Sequence, residues 1–172
     1  MTIYNNFHIV NADFETFGFF ENEFDLVYSA ATIQWIPEEI GLPKVYSILK
    51  SGGTFAMMRT YTDYKSANEA LYEKIQEVYD LHFRPEGENQ FHFRYENVTN
   101  YGFIDYERRE YLDVREYNAD QFVNWTRIQS PQLTIQEPHR TKFLEGIRNA
   151  ILGFDDRITL KDVIVLDLVR KP

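Results

Sequence analysis

The chain contains no cysteine among its 172 residues. Disulfide bridges, thiolate zinc sites and cysteine nucleophiles are therefore excluded together. No stretch approaches the apolar length of a membrane span, and Met1-Thr2-Ile3-Tyr4 lacks the basic segment and apolar run of a secretion signal. The expected location is the cytoplasm, where the glycosylation sequon Asn124-Trp125-Thr126 is a chance match. Basic clustering is also scarce, because Arg108-Arg109 and Arg170-Lys171 are the adjacent basic pairs in a chain of net charge −9. Such a chain has no footprint for nucleic acid and none for a membrane surface, so the expected partner is a small molecule.

What is present is a folded composition. Apolar residues make up 44% and aromatics 16%, with 14 Phe and 12 Tyr, enough for the core of a single domain over residues 1–172. Strand and helix signals alternate along the chain, the pattern of an α/β fold with helices covering a sheet. Phe7 to Val10 is a short strand candidate. Phe24 to Ser29 is apolar on both faces, which suits a central strand. Pro37-Glu38-Glu39 opens a helix that begins or kinks at Pro43 and ends at Gly52-Gly53, with a strand at Thr54 to Met58.

Further on, Thr62 or Asp63 caps a helix running through Leu81. Two aromatic-basic runs, Leu81 to Arg84 and Phe91 to Arg94, flank a turn and suggest a hairpin or lid, so a cap is expected over about residues 61–106. Glu107 to Tyr117 reads as a strand, and Asn118 with Gln121 forms a capping box for a helix carrying Phe122, Trp125 and Ile128. A helix from about Lys142 to Gly153 and a strand from Ile158 to Val169 close the chain. That strand is apolar on both faces except at Asp162 and Asp167, which places it inside the sheet.

The run Phe24-Asp25-Leu26-Val27 through Gln34-Trp35-Ile36-Pro37, followed by Leu42 to Gly53, resembles the fourth and fifth strand region of class I S-adenosylmethionine-dependent methyltransferases of the type 11, trans-aconitate methyltransferase-like branch. The segment Phe122 to Thr126 and the last helix and strand are similar as well. The resemblance implies a Rossmann-like methyltransferase fold, N-terminally truncated so that it begins at the third strand. It also implies a mixed sheet in the order four, five, seven, six, with helices on both faces and a helical or hairpin cap. The cofactor it implies is S-adenosylmethionine.

Residue by residue, Asp13 stands where the family's acidic residue accepts from the adenine amino group, and an Asx-turn closing the first strand explains it equally well. Phe14 would flank the adenine ring. Ser29, Ala30 and Ala31 correspond to the segment passing the methionine end of the cofactor, or else to close strand-to-helix packing. Gln34 and Trp35 fall where relatives carry His-Trp beside the substrate. Gln34 removes a general base and suits methyl transfer to a group already ionised, such as a carboxylate, while Trp35 is expected to pack beneath the lid. Arg59 and Tyr61 are further substrate-pocket candidates. Arg59, Arg84 and Arg94 could each pair with a substrate carboxylate or form ordinary salt bridges. No catalytic residue is assigned, and no metal is expected: His82, His92, Glu86 and Glu88 have no metal-binding spacing.

No two of the eight glycines have the GxGxG spacing of the family's cofactor loop. Backbone donors at such a loop have no side-chain substitute. The chain alone is therefore expected to bind S-adenosylmethionine weakly or not at all. It reads either as an enzyme completed by an N-terminal segment, or as an inactive remnant serving as a binding or interaction module. Loss of the first two strands would leave Phe24 to Ser29 with an open edge. The expected remedies are pairing by Phe7 to Val10 or a homodimer across that edge.

Overall fold

The structure, a computed structural model, describes residues 6–85 and 93–172. Four strands form one mixed sheet in the order β1-β2-β4-β3: β1 (Phe24–Ala30), β2 (Leu49–Asp63), β3 (Ile104–Tyr117) and β4 (Ile158–Arg170). The helices are α1 (Glu38–Ile48), α2 (Glu69–His82), α3 (Ala119–Arg127), α4 (Ser130–Leu133) and α5 (His139–Leu152). β1 and β2 run parallel, with Val27 opposite Phe55 and Ser29 opposite Met57, as the four-five pairing requires. The start of β2 bonds the end of β4, where Gly52 N–H donates to Lys171 O and Lys171 N–H to Gly53 O. β4 thus runs antiparallel to β2, and the order is the expected four, five, seven, six. Among the described residues, no helix is long and apolar enough to cross a membrane.

The residues divide into two compact units. One takes the described residues up to Met58, those from Phe93 to Arg108, and Leu166–Pro172; the other takes Arg59 to Pro85 and Arg109–Val165. β2, β3 and β4 contribute residues to both.

In the first unit, Leu42, Val45 and Leu49 pack with Phe55, Met57, Phe103 and Val169. Phe55, Ala56 and Met57 are consecutive and all buried, so β2 is covered on both faces. Pro43 lies inside α1 without ending it. The hydrogen bond lost at Pro43 leaves a carbonyl in the exposed first turn, whereas Leu42 and Val45 are fully buried, and their packing outweighs the lost bond. α1 ends at Ile48, before Gly52-Gly53. The glycines instead form the irregular entry into β2: Gly52 has φ +78° and a Cβ on Gly53 would sit 2.8 Å from Lys50 O. Lys171 Nζ donates to Tyr46 O, Leu49 O and Asn22 Oδ1, placing a cation at the negative end of α1.

Phe7 to Val10 forms no strand. Phe7, Ile9 and Val10 are exposed, and no neighbouring strand supplies their backbone bonds. Pairing of this segment beside β1 is therefore not the solution found. Nor is β1 central. It ends the sheet, and Leu26 (55% exposed) and Tyr28 (67%) point to its uncovered face, while Val27 and Ser29 are half-buried on the other. Apolar residues on both faces misled because the outer face lacks a covering helix among the described residues.

In the second unit, α2 and α5 pack together, as do α3 and α5, around Leu71, Ile75, Phe122, Phe143, Ile147, Ile151 and Leu160. The α2 cap is Asn68, whose Oδ1 accepts from Leu71 N–H, and not Thr62 or Asp63, because β2 continues through both. Asn118 and Gln121 form the expected reciprocal capping box of α3. The proposed hairpin turn, including Glu86, Glu88 and His92, lies outside the described residues.

Asp162 and Asp167 on β4 are both buried. In the second unit Asp162 accepts from Arg115 Nε of β3 and, at 2.6 Å, from Thr62 Oγ1 of β2. In the first, Asp167 accepts from Tyr106 Oη (2.6 Å) and Arg108 Nε (2.8 Å), and Arg108 also reaches Glu96. Burial pushes the Asp162 carboxyl up, but the bonds from Arg115 and Thr62 outweigh it and hold the group below its ordinary 3.8. Burial, and then the Asp167 carboxylate, push the Tyr106 phenol up to about 12.

Arg115→Ala should cost about 3 kcal/mol in urea unfolding, because a buried carboxylate loses its counter-charge. Because the folded Asp162 group is depressed, its contribution is full above 3.8 and fades as pH falls through the lower folded value. Asp162→Asn should correspondingly flatten the acid limb of the stability curve. A second expectation concerns α2 and α5: a Cβ on Gly146 would meet Val78 Cγ1 at 2.7 Å. Gly146→Ala should lower stability by about 1–3 kcal/mol, and Val78→Ala in the same chain should recover part of that loss in thermal melts.

Candidate functional site

At the carboxyl end of β1, the first unit encloses a cavity of about 180 Å³. Phe14, Val27, Ser29, Thr32, Ile36 and Phe55 are among its lining residues. Phe14 is held there by Lys44 of α1, whose ammonium donates to Glu15 O and Phe17 O and lies 5.3 Å from the Phe14 ring. The Phe14 and Phe19 rings are 5.8 Å apart. One cation thus fixes the loop that delivers an aromatic face to the cavity.

Ser29 leaves the strand with its hydroxyl already engaged. Its Oγ accepts from Ile33 N–H (2.9 Å) and contacts Thr32 Oγ1 (2.7 Å), tying the strand end to the 3-10 turn Ile33–Trp35. Ala31 takes a left-handed conformation, φ +52°, and its N–H donates to Met58 O. The small residues Ser29, Ala30 and Ala31 therefore make a tight exit from the strand. Of this segment Ser29 lines the cavity, and Ala30 and Ala31 do not. Asp13 closes an Asx-turn, its Oδ1 accepting from Glu15 N–H at 2.8 Å, which leaves Oδ2 for another donor.

Gln34 and Trp35 also belong to the first unit. Gln34 Oε1 accepts from Tyr95 Oη at 3.2 Å. Trp35 is 52% exposed rather than packed beneath a lid: the 3-10 turn buries Ile33, leaves Gln34 half-buried and turns Trp35 outward. Arg59 and Tyr61 are residues of the second unit and engage each other there. Arg59 Nε donates to Tyr61 Oη at 2.7 Å and the guanidinium stacks over the ring. Arg94 is engaged through its backbone N–H by Glu38, which also takes Asn97 Nδ2. Among the described residues no group of three metal-ligating side chains comes together.

The sequence pointed to Phe14 and Ser29 but not to Thr32, Ile36, Val45 or Phe55. Ile36, Val45 and Phe55 are apolar, and apolar residues at strand and helix spacing are indistinguishable from core. A second cavity, in the second unit, was not legible at all, because Tyr64, Tyr79, Trp125 and Gln132 reach it from separate segments.

This arrangement of parallel β1 and β2, antiparallel β4 and a cavity at the strand end is that of the class I methyltransferase fold. A protein of Bacillus halodurans C-125 provisionally assigned as a methyltransferase has this fold. It matches with a TM-score of 0.51 at 15% identity, over 95% of this chain and 77% of that one. A protein of Anaeromyxobacter dehalogenans provisionally assigned as a type II methyltransferase matches with a TM-score of 0.63 at 15% identity, over 98% of this chain and 74% of that one. In sequence, the family described as the methyltransferase domain matches residues 2–57, the stretch holding Asp13, Phe14, β1, α1 and the entry to β2. No curated protein matches the chain in sequence.

Ser29→Ala removes the acceptor of the Ile33 N–H, and thermal denaturation should show a loss of about 1 kcal/mol. No loss would mean that the hydroxyl is not committed to that turn.

Proposed function

We propose that this chain is the adenine- and substrate-side portion of an S-adenosylmethionine-dependent methyltransferase acting on a small molecule whose nucleophile arrives ionised, such as a carboxylate. The observation that carries the proposal is the cavity at the carboxyl end of β1, where Phe14 and Ser29 converge on the methyltransferase fold. Ligands of open α/β sheets bind at strand carboxyl ends. Phe14 would lie against the adenine, Asp13 Oδ2 would accept from its amino group, and the exit Ser29-Ala30-Ala31 would pass alongside.

The residues fit part of the cofactor. A cavity of about 180 Å³ with few polar groups suits a ring, and no carboxylate lines it to receive ribose hydroxyls. With no GxGxG spacing among its glycines, the chain offers no loop of backbone donors to the rest. S-adenosylmethionine supplies an activated methyl group, so transfer depends on positioning and exclusion of water more than on proton abstraction. That agrees with Gln34, a neutral amide occupied by Tyr95, and with a lining that holds no carboxylate, ammonium or imidazole.

A second reading, a methyltransferase-fold binding module without cofactor chemistry, is favoured by the same missing loop and by the local commitments of Ser29 Oγ and Asp13 Oδ1. Calorimetry separates the two. Under the first, S-adenosylmethionine and adenosine bind with similar weak affinity, Kd of about 1 mM or weaker, and Phe14→Ala abolishes both. Micromolar one-to-one binding would overturn the incomplete-site proposal, whereas no binding of either ligand would favour the module.

A further inference from the structure

Inside the second unit, a cavity of about 230 Å³ opens beneath α3 and α4. Its walls include Tyr64, Tyr79, Phe122, Trp125, Thr126 and Gln132, and no lining residue carries a charge. Two of these residues are more than nine-tenths buried and have a polar atom without a partner. Thr126 is 2% exposed and its Oγ1 makes no hydrogen bond, although a helical threonine commonly turns its hydroxyl back to the preceding turn. Gln132 is 9% exposed and its Oε1 is equally unpartnered, while its Nε2 makes a long 3.4 Å bond to Tyr79 Oη. If the amide is turned over, its Nε2 becomes the orphan instead. Either way one end of a buried amide and a buried hydroxyl stand unsatisfied in residues that line one cavity.

Buried polar groups are almost always paired, and an exception calls for a partner. The aromatic walls say what kind. Trp125 and Phe122 have ring centroids 5.4 Å apart, and Arg115 and Tyr117 hold Trp125 in place, the guanidinium 5.4 Å from its ring. Burial pushes the Tyr64 phenol up to about 12 and raises that of Tyr79, so both remain neutral donors at ordinary pH. A charged ligand would find no counter-charge in this lining and would keep its desolvation penalty. The volume is below that of drug-sized pockets and suits one ring.

We infer that this cavity is a binding site for a small, uncharged, planar molecule bearing a carboxamide-like group, which hydrogen-bonds Thr126 Oγ1 and the free end of the Gln132 amide once those side chains turn the two atoms, closed off in this structure, toward the cavity. The site is separate from the β1 cavity and takes its ligand without cofactor.

Benzamide tests this on the full chain, with benzoate as its charged counterpart and indole N–H resonances as the reporter. The expected result is saturable benzamide binding with Kd of about 1 mM or tighter, read at Trp125 and not at Trp35. Thr126→Val, which keeps the shape and removes the hydroxyl, and Gln132→Leu should each weaken binding at least tenfold, and benzoate should bind at least tenfold more weakly. Circular dichroism establishes that each variant is folded, and the benzamide-benzoate comparison on the unaltered chain needs no variant. Four results would overturn the inference: no saturable binding, so that water alone fills the cavity; a response at Trp35 only; equal affinity for benzoate; or folded variants that bind as before. Since S-adenosylmethionine takes no part, failure here leaves the cofactor proposal where it stands.

Discussion

Burying a carboxylate in the middle of a sheet is expensive unless it is paired, and β4 does it twice. Asp162 lies in the second unit and Asp167 in the first. Each meets an arginine of β3, Arg115 for Asp162 and Arg108 for Asp167. Within the first unit Asp105 with Arg170 fits the alignment of Arg108 with Asp167. A slip by one residue would turn each carboxylate away from its partner and leave both charges unpaired. Apolar side chains elsewhere on β4 supply burial, but they would tolerate displacement better than these two pairs do. Position along the strand is therefore decided by the acids.

Much of the architecture is legible in the sequence. The Asn118-Gln121 capping box, the extent of β4 and the parallel pair β1 and β2 follow from local chemistry or from a motif whose residues are contiguous. Where the sequence misled, the missing information was tertiary. Thr62 looks like a helix cap, yet its hydroxyl is bonded to Asp162, a hundred residues away. Phe7 to Val10 has strand-forming residues but no partner strand, and a strand without hydrogen-bonding neighbours is not a stable element. Pro43 argues against a continuous helix locally and is overruled by the buried residues on either side of it.

The sites divide along the same line. Phe14 and Ser29 were reached through a resemblance in a contiguous stretch, and Ser29 then proved to have a structural duty as the acceptor of Ile33 N–H. Arg59 and Tyr61 were chosen for their position after a strand, and they form a pair of their own. The Thr126 and Gln132 cavity carried no sequence signal, because an unsatisfied hydroxyl is a property of surroundings and not of spacing. Reading a helix face as apolar counts Phe122 and Trp125 correctly but cannot report that the polar residue beside them lacks a partner.

Among the described residues β1 ends the sheet with its Leu26 and Tyr28 side chains bare, so one seven-residue ribbon of backbone is a template for further strands. Asp25 is its single charged residue, and Lys50 largely neutralises it. Mutual repulsion between such ribbons must therefore come from the molecule at large, whose net charge is −9. That protection is colloidal, and it vanishes near the isoelectric point of about 4.9. Mildly acidic or strongly saline solution strips it away while the buried Asp162 pair still holds the fold, so self-association would set in among molecules that remain native.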